Sequence, residues 1–369
     1  MHNCGATGAM TDGLEEAGQE SSFSTEMQRC SPAASTASTT IQSIKKGISM
    51  LKPLLCAVLA FLGFSQASLA QTYPVKPVRI VVPFAPGGSS DAVARPIAER
   101  LGAILGQSFI VENRPGAAGT IGASLVAKSE PDGYTLLIMP GTQVLIPRLM
   151  KASPFDPIKD FTPISMLVFA PYVIFAATQQ PFTTLADMAK YGRANPEKLT
   201  IGNSEVTTRL AAESLSQAGN FKFTHISYKG GGPITSDVVG GHLALGVATP
   251  VSILSFHKEG RVRALAVTSP KRLQSLPDVP TVAEALGIQS FESQTWFALA
   301  GPAGLPRPIV DRIQRAVGQI MAEPDIRARL QVMGVEPAED ATPETLSNIM
   351  KTFAQRNAAL MDTAGIKPE

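Results

Sequence analysis

Beyond residue 70, short apolar runs alternate with longer stretches in which apolar residues recur at helical spacing. The run Val78–Val82 ends at a proline and is typical of a buried strand. The stretch Ala92–Leu105 places its apolar residues on one face, which predicts an amphipathic helix. The same alternation restarts with a predicted helix at Leu185–Ala194. Strands alternating with helices predict an α/β fold, with most strands parallel.

Two extended apolar segments divide this pattern. The first lies between Phe161 and Ala177 and is broken at Ala170-Pro171, and the second is Phe291–Ala300. We interpret them as crossings between two lobes, with residues 71–170 and 296–369 forming lobe 1 and residues 171–295 forming lobe 2. A ligand would then bind between the lobes, at the carboxyl ends of the strands, and the lobes would close over it about a hinge.

Residues 1–70 have the pattern of a leader. A Ser-, Thr- and Gly-rich stretch without apolar periodicity precedes Lys45-Lys46 and the apolar run Leu54–Phe64, which ends near Ser68-Leu69-Ala70. This order predicts a signal peptide with h-region 54–64 and cleavage after Ala70, and hence export to the periplasm. The run is short for a membrane span. Since Met50 would start a signal of normal length, residues 1–49 are hypothesised to lie upstream of the true start.

Composition narrows the classes of function. The chain has 369 residues, 44% hydrophobic and 17% charged, with a formal net charge of +2, and no basic stripe indicates nucleic-acid binding. All three cysteines precede the predicted cleavage point, so the mature chain would have no disulfide or thiol nucleophile. Its histidines lack metal-site spacing, and neither a G-x-S-x-G nor a phosphate-loop motif occurs. We therefore expect no enzyme activity, no metal and no cofactor; an exported hydrolase would need a nucleophile and base that the sequence does not show.

Two glycine-rich turns follow predicted strands. The first, within Pro83–Asp91, is Pro86-Gly87-Gly88, followed by Ser89, Ser90 and Asp91, any of which could cap the next helix. The second is Tyr228–Pro233, with three consecutive glycines. Glycines at a helix start leave backbone N–H groups open to an anion. A carboxylate held between two such turns would need neither lysine nor arginine.

Several segments together resemble a known family. They run Tyr73–Asp91, Val111–Gly119, Asp132–Leu136, Tyr228–Pro233, Arg263–Thr268 and Leu276–Glu284. In this order they resemble the substrate-binding receptors of tripartite tricarboxylate transporters, the Bug-type extracytoplasmic solute receptors. The resemblance covers essentially residues 73–368. It implies a type II periplasmic binding protein fold, with two lobes, a ligand cleft and two crossing segments.

The same resemblance implies a function and a site. A monomeric receptor would capture a small organic carboxylate and deliver it to an inner-membrane permease; the alternative is a receptor that signals to a membrane sensor kinase. Asp91 could face a ligand amine or hydroxyl, or cap its helix. The implied ligand-binding residues are Phe84, Ala85, Pro86, Gly87, Gly88, Ser89, Ser90, Asp91, Thr142, Gln143, Asn203, Ser204, Thr207, Thr208, Arg209, Tyr228, Lys229, Gly230 and Gly231.

Two departures from the family pattern leave the chemical group at the distal end of the ligand undetermined. The lobe 2 loop Gly202–Arg209 carries Glu205 and places Arg209 near the position of a family histidine, where it could bind a distal carboxylate or remain solvated. Ala248-Thr249 stands where many members have an acidic residue followed by a polar one, which argues against a ligand amine. Dicarboxylates, tricarboxylates, aromatic acids and amino acids all remain open.

Overall fold

The computed structural model describes residues 73–196 and 198–368, which belong to one compact unit, Gln71–Glu369. The predicted signal peptide, its cleavage point and the three cysteines lie outside the described residues. No helix in 73–196 or 198–368 combines the length and the apolar character that a membrane crossing requires.

Eleven strands form two sheets within the described residues. The first sheet contains β1 (Val78–Val82), β2 (Phe109–Asn113), β3 (Thr135–Pro140), β4 (Phe161–Pro171), β10 (Gln294–Pro302) and β11 (Glu336–Pro337), in the order β11-β4-β10-β3-β1-β2. The second contains β5 (Val173–Ala177), β6 (Thr200–Asn203), β7 (Thr224–Ser227), β8 (Leu245–Ala248) and β9 (Val262–Val267), in the order β7-β6-β8-β5-β9. Each sheet is the centre of one lobe.

Helices cover both faces of each sheet. They are α1 (Ser89–Leu105), α2 (Thr120–Ala127), α3 (Ile146–Leu149), α4 (Leu185–Ala194), α5 (Val206–Gly219), α6 (Gly231–Val239), α7 (Leu254–Lys258), α8 (Val282–Leu286), α9 (Arg307–Ala322), α10 (Pro324–Val332) and α11 (Pro343–Thr363). Short 3₁₀ turns lie at Ala117–Gly119, Gly141–Leu145 and Pro250–Ser252. Two apolar cores, one on either face of each sheet, bury the strands, and one core of the first sheet also includes Leu210 of α5. Four of the five residues of β1 are fully buried, as its apolar residues predict, and Arg79 is the exposed one.

The expectation of mostly parallel sheets is wrong. Strand β1 pairs in parallel with β2 and β3, and β6 pairs in parallel with β7 and β8, but the remaining pairs are antiparallel. Strand β10 brings the chain back from lobe 2, so it runs against its neighbours β3 and β4. Both sheets are therefore mixed, and the crossing strands are built into them rather than lying outside.

The crossing segments connect the lobes as the sequence predicts. Strand β4 leads through Tyr172 directly into β5 of the second sheet, and β10 returns to the first sheet. This is the two-lobed type II periplasmic binding protein architecture. The residue boundaries given for the lobes above stay a prediction.

The start of α1 differs from the sequence expectation. The helix begins at Ser89 rather than near Ala92, and its N-cap is Gly88, in an extended conformation. No side chain caps it, so the capping roles considered for Ser89, Ser90 and Asp91 are wrong. The reason is local, because the Asp91 carboxylate accepts a hydrogen bond from the Gly87 N–H instead, at 3.0 Å.

Candidate functional site

Two loops end at helix N-termini on opposite lobes. The lobe 1 loop, Phe84–Gly88, follows β1 and enters α1, and its Gly87 has φ +80°, a conformation that favours glycine. The lobe 2 loop, Tyr228–Gly230, follows β7 and enters α6. The first N–H groups of a helix have no partner within the helix. Both loops therefore present free backbone donors and the positive end of a helix dipole.

Both loops line one cavity of about 450 Å³ between the two sheets. From lobe 1 the lining residues are Phe84, Ala85, Pro86, Gly87, Gly88, Ser89, Ser90, Pro140, Thr295 and Phe297, and Tyr172 comes from the crossing. From lobe 2 they are Ser204, Glu205, Thr208, Lys229, Gly230, Gly231, Gly232, Pro233, Ala248, Thr249, Val251 and Ser252. Gly87 and Gly231, at the two predicted turns, thus share this cavity.

Close packing fixes the lobe 2 wall. A Cβ at Gly231 would lie 2.4 Å from Ser252 Oγ, whereas one at Gly232 would meet nothing within 4 Å. Glycine is therefore required at the first residue of α6 by the approach of the Pro250–Ser252 turn, and not by backbone conformation. Across the cavity, Ser89 Oγ and Thr249 Oγ1 lie 2.8 Å apart, so a hydrogen bond joins the two lobes.

A charged network holds the lobe 1 loop. Asp91 is 4% exposed, and its carboxylate accepts hydrogen bonds from the Gly87 N–H, from Asn113 Nδ2 and from two nitrogens of Arg95, at 2.8–3.0 Å. Asn113 also donates to the Phe84 carbonyl, at 3.0 Å. Burial alone would raise the pKa of Asp91, but the hydrogen bonds from Arg95, Gly87 and Asn113 hold it below its ordinary value. Asp91 therefore positions the loop, and it is not among the residues that line the cavity.

A second carboxyl group, Glu205, faces the cavity from lobe 2. Glu205 is the N-cap residue of α5 and forms a capping box with Thr208, whose hydroxyl accepts from the Ser204 and Glu205 N–H groups at 3.1 Å. Burial raises the pKa of Glu205 to about 7. It also lies close enough to Tyr172 for its charge to add to the burial that raises the pKa of that phenol.

Tyr172, which lies near Glu205, belongs to a group of three hydroxyls that form no hydrogen bond among the described residues. The Tyr172 hydroxyl faces the hydroxyls of Thr207 and Thr295, yet none of the three meets hydrogen-bond geometry with any described residue. All three side chains are at most 4% exposed. Buried polar groups are normally paired with protein, water or ligand, so this hydroxyl cluster is a place where a partner is needed.

Comparison with known proteins agrees with this geometry. The sequence profile of the family described as tripartite tricarboxylate transporter family receptor matches residues 93–366. The chain belongs to this family. A relative from Pseudomonas sp. strain P51, a UPF0065 protein from the tcbD-tcbE intergenic region, is 35% identical over 295 residues, which is 79% of this chain and 87% of the relative.

Two solved structures are also similar to this receptor. The periplasmic binding protein BugD is 34% identical, with a TM-score of 0.72, over 80% of this chain and 100% of that one. Rpa4515 from R. palustris, solved with adipate, is 33% identical, with a TM-score of 0.75, again over 80% of this chain and 100% of that one.

Seven of the residues predicted for the site do not line the cavity. Among them, Thr142 and Gln143 are buried, and Gln143 Nε2 donates to the Ala118 carbonyl at 3.0 Å. Their predicted contact with the distal end of a ligand stays a prediction. Thr207 belongs to the hydroxyl cluster behind the cavity wall, and Asp91 acts on the loop as described.

The other three support the lobe 2 wall. The Asn203 amide lies 3.1 Å from His225 Nδ1, and His225 Nε2 lies 3.0 Å from Glu213 Oε1. The charge of Arg209 acts on Glu213, helping the His225 contact to lower the pKa of that carboxyl. The Tyr228 hydroxyl donates to Asp237 at 2.6 Å, a contact that raises the pKa of Tyr228 to about 12. A ligand role for Asn203, Arg209 and Tyr228 therefore stays a prediction.

Sequence reasoning missed cavity residues that are far apart along the chain. Tyr172, Thr295 and Phe297 come from the crossing segments, and Thr249 and Ser252 follow β8. The break after Pro171 and the polar residues directly after a buried strand were available signals. Neither signal indicated on which side of the cavity these residues would lie, because their position depends on strand order.

A larger surface groove does not compete with this cavity. It measures about 890 Å³ and is lined by residues that include Gln217, Phe291 and Arg356. The glycine-rich loops line the smaller cavity instead. Across residues 73–196 and 198–368, no three His, Cys, Asp or Glu side chains are grouped so that they could bind a metal ion.

Proposed function

We propose that this receptor is exported to the periplasm, captures a small organic carboxylate in the cavity between its lobes, and delivers it to a tripartite tricarboxylate-type permease. The observation that carries the proposal is the pair of helix N-termini, α1 and α6, whose first residues line one cavity from opposite lobes. The adipate in the Rpa4515 structure supports the ligand class, since adipate is an organic carboxylate.

The binding energy comes from backbone donors made stronger by closure. N–H groups at Ser89 and Gly231 would donate to the ligand carboxylate, and the helix dipoles would favour its charge. Lys229 adds a cation to the same wall. Closing the lobes excludes water, which strengthens each of these contacts. The Ser89–Thr249 hydrogen bond joins the two lobes directly, so it would stabilise the closed form even without a ligand.

A matched pair of variants tests the backbone donor. Proline is tolerated at the first position of a helix, and the extended Gly88 (φ −77°, ψ 172°) suits a residue before proline. Ser89→Pro therefore removes the Ser89 N–H while keeping α1, and Ser89→Ala removes the hydroxyl while keeping the N–H. If a carboxylate binds there, we expect Ser89→Pro to weaken it about 10- to 100-fold beyond Ser89→Ala, as for one charge-assisted hydrogen bond.

The measurement is a thermal-shift screen of the residue 71–369 protein against mono-, di- and tricarboxylates, followed by calorimetric titration of each hit. A ligand at about 100 times its Kd adds roughly 2.7 kcal/mol of stability, which shifts Tm by a few degrees. Absence of any carboxylate ligand, or equal affinity of Ser89→Pro and Ser89→Ala for a bound one, would contradict the proposed capture.

A further inference from the structure

The cavity has one basic and one acidic side chain among the described residues that line it. They are Lys229 and Glu205, both from lobe 2. Burial is the cause of the raised pKa of Glu205, and no cation offsets it. Arg209, four residues further along α5, acts on Glu213 instead. Glu205 is thus a cavity carboxyl without a cationic partner in the described chain.

A helix-capping role does not by itself explain a glutamate at this position. Serine, threonine, aspartate and asparagine are the side chains that favour the N-cap, and each would avoid placing a long carboxyl in a cavity wall. In the capping box the Glu205 side chain accepts from the Thr208 N–H, and the Thr208 hydroxyl accepts from the Glu205 N–H at 3.1 Å. A shorter side chain of the preferred kind could accept the same hydrogen bond, so capping does not require a long carboxyl in the cavity wall.

The hydroxyl cluster provides a second, independent observation. Tyr172 and Thr295 line the same cavity, are 2% and 4% exposed, and have hydroxyl groups with no hydrogen-bond partner among the described residues. Glu205 lies close enough to Tyr172 to influence its phenol. A carboxyl without a cationic partner and two unpaired hydroxyls, all lining one cavity, are complementary to a polar group of the ligand.

We propose that Glu205 determines specificity by accepting a hydrogen bond from the second polar group of the ligand, a hydroxyl or an ammonium, and by disfavouring a second carboxylate there. This rests on the proposed function, in which the first carboxylate is bound by the two helix N-termini. The preferred ligand is then a hydroxy or amino monocarboxylate rather than a diacid. This differs from the expectation drawn from Ala248-Thr249, because Glu205 supplies the acidic group from another position, the N-cap of α5.

The physical basis is a free-energy cost, either of leaving the Glu205 carboxylate without a donor or of placing a second carboxylate beside it. A ligand donor supplies a hydrogen bond that the ionised Glu205 can accept, whereas a second carboxylate can approach Glu205 without repulsion only while one of the two carboxyl groups holds a proton. Sites built to pair with a ligand donor discriminate strongly against analogues that lack it. We therefore expect, in titrations at pH 8 where Glu205 is mostly ionised, at least tenfold preference for the donor-ended acid over the diacid of equal length.

The test is a calorimetric titration with chain-matched acids. The probes are adipate, 6-hydroxyhexanoate and 6-aminohexanoate, with succinate, 4-hydroxybutyrate and 4-aminobutyrate as the four-carbon set. If the carboxylate screen yields aromatic acids instead, terephthalate, 4-hydroxybenzoate and 4-(aminomethyl)benzoate replace them. The proteins are the wild type, Glu205→Gln, Glu205→Asp and the control Glu259→Gln, which changes an exposed carboxyl paired with Arg261.

The expected result is that a hydroxy or amino acid binds wild type at least tenfold more tightly than its diacid. Glu205→Gln should reduce the amino-acid-to-diacid affinity ratio at least tenfold, and Glu259→Gln should leave it unchanged. Glu205→Asp, a favourable N-cap with a shorter reach, should also reduce the ratio, whereas a purely capping role predicts no change. Circular dichroism melts verify that each variant is folded.

Failure of this inference can be distinguished from failure of the proposed function. If a diacid binds wild type as tightly as its donor-ended counterparts, or if neither Glu205 variant alters the ratio, this inference is overturned while carboxylate capture stands. If no acid of the screen binds, the proposed function fails, and the inference fails with it.

Discussion

Two carboxyl groups, Asp91 behind the lobe 1 loop and Glu205 in the lobe 2 wall of the cavity, have opposite environments. Asp91 accepts hydrogen bonds from Gly87, Arg95 and Asn113, and these contacts lower its pKa. Glu205 has no such cationic partner in the described chain, and burial raises its pKa to about 7. On the ligand role that we propose for Glu205, the protein completes one side of its site by itself and leaves the other side for a ligand to complete.

The lobe 1 loop is thus held by a complete network, whereas Glu205 of lobe 2 and the unpaired hydroxyls of Tyr172 and Thr295 have no such network. Preorganisation lowers the cost of binding, so the shared feature of many ligands, one carboxylate, is best recognised by a rigid loop. Unpaired groups discriminate between ligands, because an incorrect ligand leaves them buried without a partner. The comparison predicts that variants of the Asp91 network act mainly on stability and loop order, and that variants near Glu205 act mainly on ligand choice.

The largest expected effect comes from breaking the Asp91 network. Asp91→Ala leaves the Arg95, Asn113 and Gly87 donors without their acceptor, which should destabilise the protein by about 2–4 kcal/mol. Chemical denaturation at pH 7 measures this loss. Asp278→Ala, at an exposed loop position, should stay within about 0.5 kcal/mol of wild type. Equal stability of Asp91→Ala and Asp278→Ala would show that the network does not hold the loop.

The raised pKa of Glu205 predicts that its contribution to stability falls as pH rises, the reverse of the dependence expected for Asp91. The folded-state pKa of Glu205, about 7, lies above the ordinary value of 4.5, so the folded protein holds this proton more tightly than the unfolded chain. Stability relative to Glu205→Gln should fall as pH rises from about 4.5 to 7, by about 1–3 kcal/mol in total. Denaturation midpoints of both proteins at pH 4.5, 6 and 8 test this. A gap that is constant with pH would contradict the raised pKa.

A glycine pair on α6 tests the close packing of the lobe 2 wall. Gly231→Ala would place a methyl group 2.4 Å from Ser252 Oγ, so we expect about 1–2 kcal/mol of strain and at least tenfold weaker binding of a carboxylate hit. Gly232→Ala, one residue later with open space, is the matched control and should be neutral or slightly stabilising. Titration of a hit against both variants measures the difference. Gly231→Ala with Ser252→Gly should recover affinity, and failure to recover would assign the loss to another cause.

The smallest expected effect is at the contact between the lobes. Thr249→Val removes the hydroxyl that lies 2.8 Å from Ser89 Oγ and should weaken ligand binding by about 0.5–1.5 kcal/mol through a less stable closed state. A double-mutant cycle with Ser89→Ala measures the coupling. Additive losses in the cycle would show that the two hydroxyls do not interact in solution.

The sequence by itself determined the elements whose causes are local. The buried strand β1, the glycine turn after it and the helix α1 follow from residues within one short segment, as do the lobe 2 loop and α6. The two-lobed fold with two crossing segments was also predictable, because the extended segments interrupt a repeated strand–helix pattern. The start of α1 was misplaced, since the pattern does not show that the Asp91 carboxylate would turn back to the Gly87 N–H.

The tertiary structure alone decided which residues share the cavity and what state they are in. Tyr172, Thr295 and Thr249 reach the ligand loops from distant segments, because strand order and the antiparallel crossings place them there. The contrast between Asp91 and Glu205 arises in the same way: the sequence shows two acids, while burial and neighbouring donors determine which one is paired. Local patterns fix backbone conformation, but the environment of a charge depends on packing between segments that the sequence does not show to be adjacent.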